Sequence, residues 1–290
     1  MRRNKILVIS AMVVVGAIAL SACADSGSRV PAAAPAAVAS AFAVGSTMTK
    51  LSKAGKITIG TDFDAPFFGL AGPDRIPIGF EVDIAKRVAA ELGIKPRNIT
   101  WVEAIPSNRE RLIEDGTVDL VVATYTITDA RKQLVSFAGP YYEADQDLMV
   151  LAGNPANITG ADDLAGKPVC TVSGSTSQAH IEAFTTKVLA VDTYSACLAP
   201  LRSGEVVAIT TDNVVLAGLA DQNSGEFEVL DKPFTTEPYG IGLARGDSAF
   251  RGFLNDVLDE SFADGSWAAA WKATGGTVLE TPLPPALDRY

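Results

Sequence analysis

Apolar and amphipathic segments alternate along residues 56–272, and this predicts an α/β fold with mostly parallel sheets. Three observations carry the prediction. VDLVVA (118–123) is an apolar run of the kind found in strands covered on both faces. GFEVDIAKRVAAELG (79–93) places Phe80, Ile84, Val88 and Leu92 at i, i+4 spacing and ends in Gly93, a helix C-terminal cap. The two halves also share a pattern without sharing a sequence repeat: apolar strand, Thr/Ser-rich turn, helix start. With 290 residues, 48% of them hydrophobic, the chain can bury more than one core, and two lobes fit its length.

Taken in order, KITIGT (56–61) alternates as a strand, the helix 80–92 follows, and ITWV (99–102) is a second strand. SNRERLIEDG (107–116) reads as a helix with Ser107 as N-cap and Glu110 three residues on, a capping box, stopping at Gly116. After VDLVVA a helix starts at Asp129. Then come the strand KPVCTV (167–172), a helix from about 177, the strand VVAITT (206–211), a helix from about 213, FEVL (227–230) and YGIGLA (239–244). A long helix over about 247–264 gathers Phe250, Leu254, Val257, Leu258 and Phe262 on one face.

The ends read differently. Arg2, Arg3 and Lys5 precede an apolar run over 6–20, too short for a comfortable bilayer span and consistent with a secretory signal over 1–22. LSAC (20–23) is similar to the lipobox of bacterial lipoproteins, with Cys23 as the acylated residue. The stretch 23–49 is rich in Ala, Pro and Ser and reads as a lipidated tether. Residues 273–290 read as a proline-punctuated tail outside the core. Losing the signal deepens the net charge from −10 to −13, which argues against nucleic acid as a partner. Cys170 and Cys197 remain, an even number in an exported chain. That points to one disulfide closing a loop of about 27 residues, worth about 3 kcal/mol in the chain-entropy model. His180 is the only histidine, so no zinc-ligand spacing exists; in QAHIEAF it reads as solvent-facing or packing.

Ligands of open α/β sheets bind where strand C-termini meet helix N-termini. Asp62 follows KITIGT, Arg131 follows VDLVVA, SGSTS (173–177) follows KPVCTV, Asp212 follows VVAITT, and Arg109 lies just after Ser107. Both arginines fall in first turns, where the helix dipole opposes a cation by about 0.3–1 kcal/mol. An anion held there would reverse the sign, and Arg–carboxylate pairs are short and often bidentate. Backbone N–H groups of SGSTS would serve the same anion, and Asp212 would meet a cation. A carboxylate with an ammonium is an amino acid. Taken singly, either arginine could instead pair with Glu110, Glu114 or Asp129, and Phe67 and Phe68 of DAPFFGL could simply be core.

The segments ITIGTDFDAPFFGL, GFEVDIAKRVA, SNRERLIEDGTVDLVVATYTITDARKQLVSFAGPYY, CTVSGSTS, VDTYSACLAPL, AITTDNVVLAGL and EPYGIGLA occur in the order of a known family. The chain resembles the extracytoplasmic solute-binding proteins (family 3) of polar amino acid ABC importers, glutamate-binding lipoprotein type. The resemblance implies a type II periplasmic-binding-protein fold: two lobes with mixed sheets flanked by helices, joined by two hinge strands. Lobe 1 would be 50–142 with 239–272 and lobe 2 would be 146–235. It implies that Arg131 grips an α-carboxylate with the amides of Ser175 and Thr176. Asp212, the Thr126 hydroxyl and a carbonyl near Thr124 would hold the ammonium. Arg109 would reach a side-chain carboxylate, Phe67 and Phe68 would line the lobe 1 side, and Cys170 and Cys197 match paired cysteines.

Asp62 departs from the acidic-ligand pattern, since aspartate there suits a ligand amide. Arg109 argues for glutamate or aspartate and Asp62 for glutamine or asparagine; the acidic pair is favoured. The resemblance further implies permease subunits as partners, a monomer lipid-anchored at the cell membrane on its extracytoplasmic side, and no cofactor. A sensor lipoprotein signalling to a receptor or kinase is the alternative. An enzyme on this scaffold is remote, because the residues named offer no general acid or base free of ligand charge.

Overall fold

The computed structural model describes residues 42–290. The expected signal, Cys23 and the tether up to residue 41 lie outside the described residues. The remainder of that tether does not behave as one. Helix α1 (Thr47–Ala54) starts at Ser46, whose hydroxyl accepts from the Thr49 N–H, and it buries Met48 and Leu51. Its signals in the sequence are Ser46 as N-cap, the Met48/Leu51 spacing and Gly55 as C-terminal cap, and they adjoin an Ala/Pro/Ser-rich stretch.

Strand β1 (Ile57–Thr61) is KITIGT shortened by one residue. A small meander of β2 (Asp64–Ala65), β3 (Gly69–Ala71) and β4 (Pro77–Ile78), which periodicity did not predict, leads into helix α2 (Phe80–Glu91). Gly93 follows in the left-handed conformation, as a C-terminal cap requires. Next come β5 (Ile99–Glu103), α3 (Arg109–Glu114), β6 (Leu120–Val121), the single-turn α4 (Asp129–Lys132) and the long β7 (Ser136–Ala144).

One residue later β8 (Gln146–Leu151) belongs to another sheet, with β9 (Val169–Val172), α5 (Thr176–Ile181), β10 (Val188–Val191), α6 (Leu198–Ser203), β11 (Ala208–Asp212), α7 (Asn213–Gln222) and β12 (Phe227–Val229). The chain returns through β13 (Glu237–Leu243) and ends its regular structure with α8 (Ser248–Asp264) and α9 (Ser266–Ala273).

The architecture is two-lobed α/β. One sheet runs β5-β1-β6-β13-β7, the other β10-β9-β11-β8-β12. The βαβ strands pair in parallel, whereas β7, β8, β12 and β13 pair antiparallel, so both sheets are mixed. The two crossings run side by side: Glu237 is opposite Ala144 and Tyr239 opposite Tyr142 on the β7–β13 ladder. These two paired segments carry the chain between the sheets and make the hinge.

Lobe 1 is held by an aromatic cluster, with Tyr142 stacked on Trp271 at 4.9 Å and Phe68 edge-on to Tyr142 at 5.4 Å. In lobe 2 Cys170 on β9 is bonded to Cys197 just before α6. Residues 278–290 lack regular elements but are tied to lobe 1. The Trp271 indole donates to the Glu280 carbonyl, Asp288 N–H to the Gly139 carbonyl, and Phe137 N–H to the Tyr290 hydroxyl. Among the described residues no helix is long and apolar enough to cross a membrane.

Candidate ligand-binding site

Between the lobes, at the C-terminal ends of β6, β9 and β11, lies a polar cavity of about 10 Å³. Lobe 1 contributes Arg109, Thr124, Thr126 and Arg131; lobe 2 contributes Ser175, Thr176, Ser177, Tyr194 and Asp212. This volume holds about one water. An amino acid therefore enters only as the lobes separate, breaking the bonds that now bridge them. Those bonds include Arg131 Nη2 to the Gly174 carbonyl (3.3 Å), the Thr124 hydroxyl to Tyr194 Oη (3.2 Å) and Thr126 Oγ1 to Thr176 Oγ1 (3.5 Å).

Arg131 sits where the sequence places it, but α4 is one turn long. Its dipole is correspondingly small, so the predicted conflict is weak. Thr128 caps the turn by accepting from Arg131 N–H at 3.2 Å. The guanidinium donates to the Thr126 carbonyl (2.8 Å), lies 5.0 Å over the Tyr125 ring, and pairs with Glu110 at 3.2 Å. Burial and the neighbouring Arg109 lower its pKa. Glu110 is thus an ion partner and not half of a capping box: α3 begins at Arg109, and its N-cap Asn108 makes no side-chain cap bond.

Arg109 is almost wholly buried, and its donors face protein. They reach the Ala104 carbonyl (3.0 Å), the Thr124 carbonyl (3.3 Å) and Asp62 Oδ1 (3.1 Å). Burial works to lower its pKa, but Asp62, Tyr194 and Glu81 together outweigh burial and raise it. Asp62 also accepts from the Thr124 hydroxyl at 3.0 Å, and burial pushes its own pKa up against the pull of Arg109. Thr124 has a positive φ of 37°, a conformation uncommon outside glycine, which is held by these contacts and by its N–H bond to Glu81.

Asp212 ends β11 and accepts from the Tyr239 hydroxyl and, at 3.4 Å, from Ser177 Oγ. Burial, with Glu237 nearby, pushes its pKa to about 7. Helix α5 starts at Thr176, one residue earlier than expected, because Ser175 is the N-cap and accepts from Gln178 N–H at 3.0 Å. The Thr176 hydroxyl donates to Glu237 at 2.8 Å.

Phe67 and Phe68 do not line the cavity. Phe68 is fully buried in the lobe 1 aromatic cluster, and Phe67 lines a separate outer groove beside α7. Paired aromatics in a turn carry no sign of which way each faces. Sequence reasoning missed Tyr194, Glu81 and Glu237 as individual site residues and reached Ser177 only as part of SGSTS. Glu81 is fully buried, accepts from Tyr141 Oη and Thr124 N–H, and has its pKa raised to about 8 by burial and by Asp62. It sits on an amphipathic helix, where an acidic residue normally reads as solvated. Tyr194 had a signal in its place within VDTYSACLAPL and in its closeness along the chain to the disulfide cysteine Cys197.

Two lobes, a hinge of paired strands and an interlobe cleft lined by arginines, hydroxyls and a carboxylate define a solute-binding protein of the type II class. The chain belongs to the bacterial extracellular solute-binding proteins, family 3, which it matches over residues 57–274. It is 37% identical to glutamate-binding protein GluB of Corynebacterium efficiens, covering 73% of this chain and 76% of that one. It is 34% identical to the ABC transporter glutamine-binding protein GlnH of Bacillus subtilis, covering 93% and 96%. Among solved structures, an ancestral arginine-binding protein bound to glutamine is 33% identical with a TM-score of 0.70, covering 76% and 97%. The ancestral amino acid-binding protein AncCDT-1, a precursor of cyclohexadienyl dehydratase, is 28% identical with a TM-score of 0.72, covering 79% and 99%. These four relatives are binding proteins, and the family is extracytoplasmic.

Proposed function

We propose that the protein captures glutamate or glutamine between its lobes and presents it to an ABC importer. Arg131, with the N–H groups of Ser175 and Thr176, takes the α-carboxylate. Asp212, the Thr126 hydroxyl and the Thr124 carbonyl take the ammonium. The ligand side chain points to Arg109, Asp62 and Tyr194. One observation carries the ligand class: Arg131 and Asp212, a cation and an anion from opposite lobes, line the same cavity.

The proton on Asp62 sets the preference between acid and amide. Ionised, Asp62 neutralises Arg109 at 3.1 Å and leaves a polar, uncharged end suited to a carboxamide. Protonated, it frees Arg109 for a carboxylate. The protein performs no chemistry on its ligand. It acts as a monomer, held to the outer face of the membrane through acylated Cys23, and closure around the ligand makes it recognisable to the permease.

A thermal-shift screen against the twenty amino acids at pH 7 tests the reading. Glutamate and glutamine at 100 times their dissociation constants should each add about 2.7 kcal/mol. No stabilisation by either removes the proposal, and recovery of a changed ligand would make the protein an enzyme. A Cys23→Ala form should leave the membrane for the medium; retention would reject the anchor.

A further inference from the structure

We infer that Gly218 sets how closely the lobes approach, and so tunes ligand affinity without touching the ligand. Gly218 lies inside α7 of lobe 2, and its φ is not in the left-handed region. Its backbone therefore does not require glycine, and glycine is a poor residue for a helix interior. What it provides is space. A Cβ at this position would stand 2.8 Å from the Pro66 Cβ, 2.9 Å from the Pro66 carbonyl oxygen and 3.2 Å from Phe67 Cδ2. All three atoms belong to lobe 1. The carbonyl is backbone, so it cannot swing aside as a side chain tip would.

The lobe 1 segment that meets Gly218 also crosses the cleft two residues earlier, where Asp64 Oδ2 accepts from Ser195 N–H of lobe 2 at 2.8 Å. Residues 64–67 thus form a single bearing surface for lobe 2. Phe67, in the left-handed conformation at φ 69°, completes the turn, with Phe68 N–H donating to the Ala65 carbonyl at 3.2 Å. A second close approach, Gly174 against Ser107, has a Cβ distance of 2.9 Å, but Gly174 also has φ 75° and borders the Arg131 contact. Gly218 is the position where lobe separation alone decides whether a side chain fits.

The inference rests on the closure mechanism proposed above, and opposed signs distinguish it from a structural role. Gly218→Ala should raise the melting temperature of the ligand-free protein, because with the lobes apart the substitution only improves a helix. The same variant should bind glutamate and glutamine about tenfold more weakly, through faster dissociation, because overpacking is met only on closing. Gly218→Val should lose more affinity still. Gly252→Ala on α8, where nothing lies within 4 Å of the added Cβ, is the control and should leave affinity unchanged.

Calorimetry, stopped-flow release and melting curves of the purified protein make the comparison. Wild-type affinity in Gly218→Ala, with the wild type binding normally, overturns this inference and leaves the proposed function standing. A lowered melting temperature in the ligand-free Gly218→Ala protein also overturns it, since the clash would then lie within the resting fold. A wild type that binds no amino acid sinks both.

Discussion

Arg109, which lines the interlobe cavity, and Asp62 behind it hold each other at 3.1 Å with side chains only 2% and 4% exposed. Neither could do so alone: each without the other is a buried, uncompensated charge. On the function proposed above, the pair makes the selectivity of the cleft a question about one proton.

Asp62→Asn removes the negative charge and keeps the shape. The ratio of glutamate to glutamine affinity should rise about tenfold, measured by calorimetry at pH 7, since one lost repulsion of about 1.4 kcal/mol is a factor of ten. An unchanged ratio would place the ligand side chain elsewhere. Arg109→Ala should instead destabilise the ligand-free protein by about 3–5 kcal/mol in denaturant melts, because it leaves Asp62 buried without its partner.

The same ratio should move with pH. Burial raises Asp62, so lowering the pH protonates it and frees Arg109. Glutamate should gain on glutamine as the pH falls, and the effect should vanish in Asp62→Asn. A ratio that does not change with pH would reject Asp62 as the determinant.

On the same proposal Asp212 serves both ligands alike. Its pKa of about 7 means that below pH 7 an arriving ammonium must expel a proton. Affinity for either amino acid should fall by up to about tenfold per pH unit below 7. Calorimetry in buffers of different ionisation enthalpy should register the released proton. Without ligand the sign is opposite: the folded state holds this proton where the unfolded chain has lost it, so stability declines as pH rises from about 4 to about 7.

Arg131→Ala should abolish binding, since a buried charge-assisted carboxylate contact is worth about 2–5 kcal/mol. Near-native affinity by calorimetry would refute its role.

Cys170→Ser should lower stability by about 3 kcal/mol, the chain-entropy value for a loop of this length, in urea melts. A loss under about 1 kcal/mol would mean that packing around α6 suffices alone.

Much of the fold was legible because strands and helices announce themselves by period. β1, α2, β5, β9, β11, α7 and α8 fall within a residue or two of their sequence assignments. What stayed hidden lacks a period. The strands of the β2–β4 meander are two or three residues long, too short to show alternation, and α1 adjoins low-complexity sequence; α4 starts at Asp129 as expected but lasts a single turn. The site divides the same way. Arg109, Thr124, Thr126, Arg131, Ser175, Thr176 and Asp212 all line the cleft, and strand ends flagged most of them. Phe67 and Phe68 were misplaced because an apolar pair in a turn does not say which neighbour it will meet.

By itself the sequence determined the α/β alternation, the family and the set of charged residues at strand ends, since these depend on local spacing. Only tertiary structure decided who pairs with whom. Glu110 left its helix cap for Arg131, Asp62 took Arg109, and Tyr194 and Gly218 met the opposite lobe. Those pairings join residues far apart in the chain, and burial makes an unpartnered charge so costly that geometry, and not proximity in sequence, selects the partner.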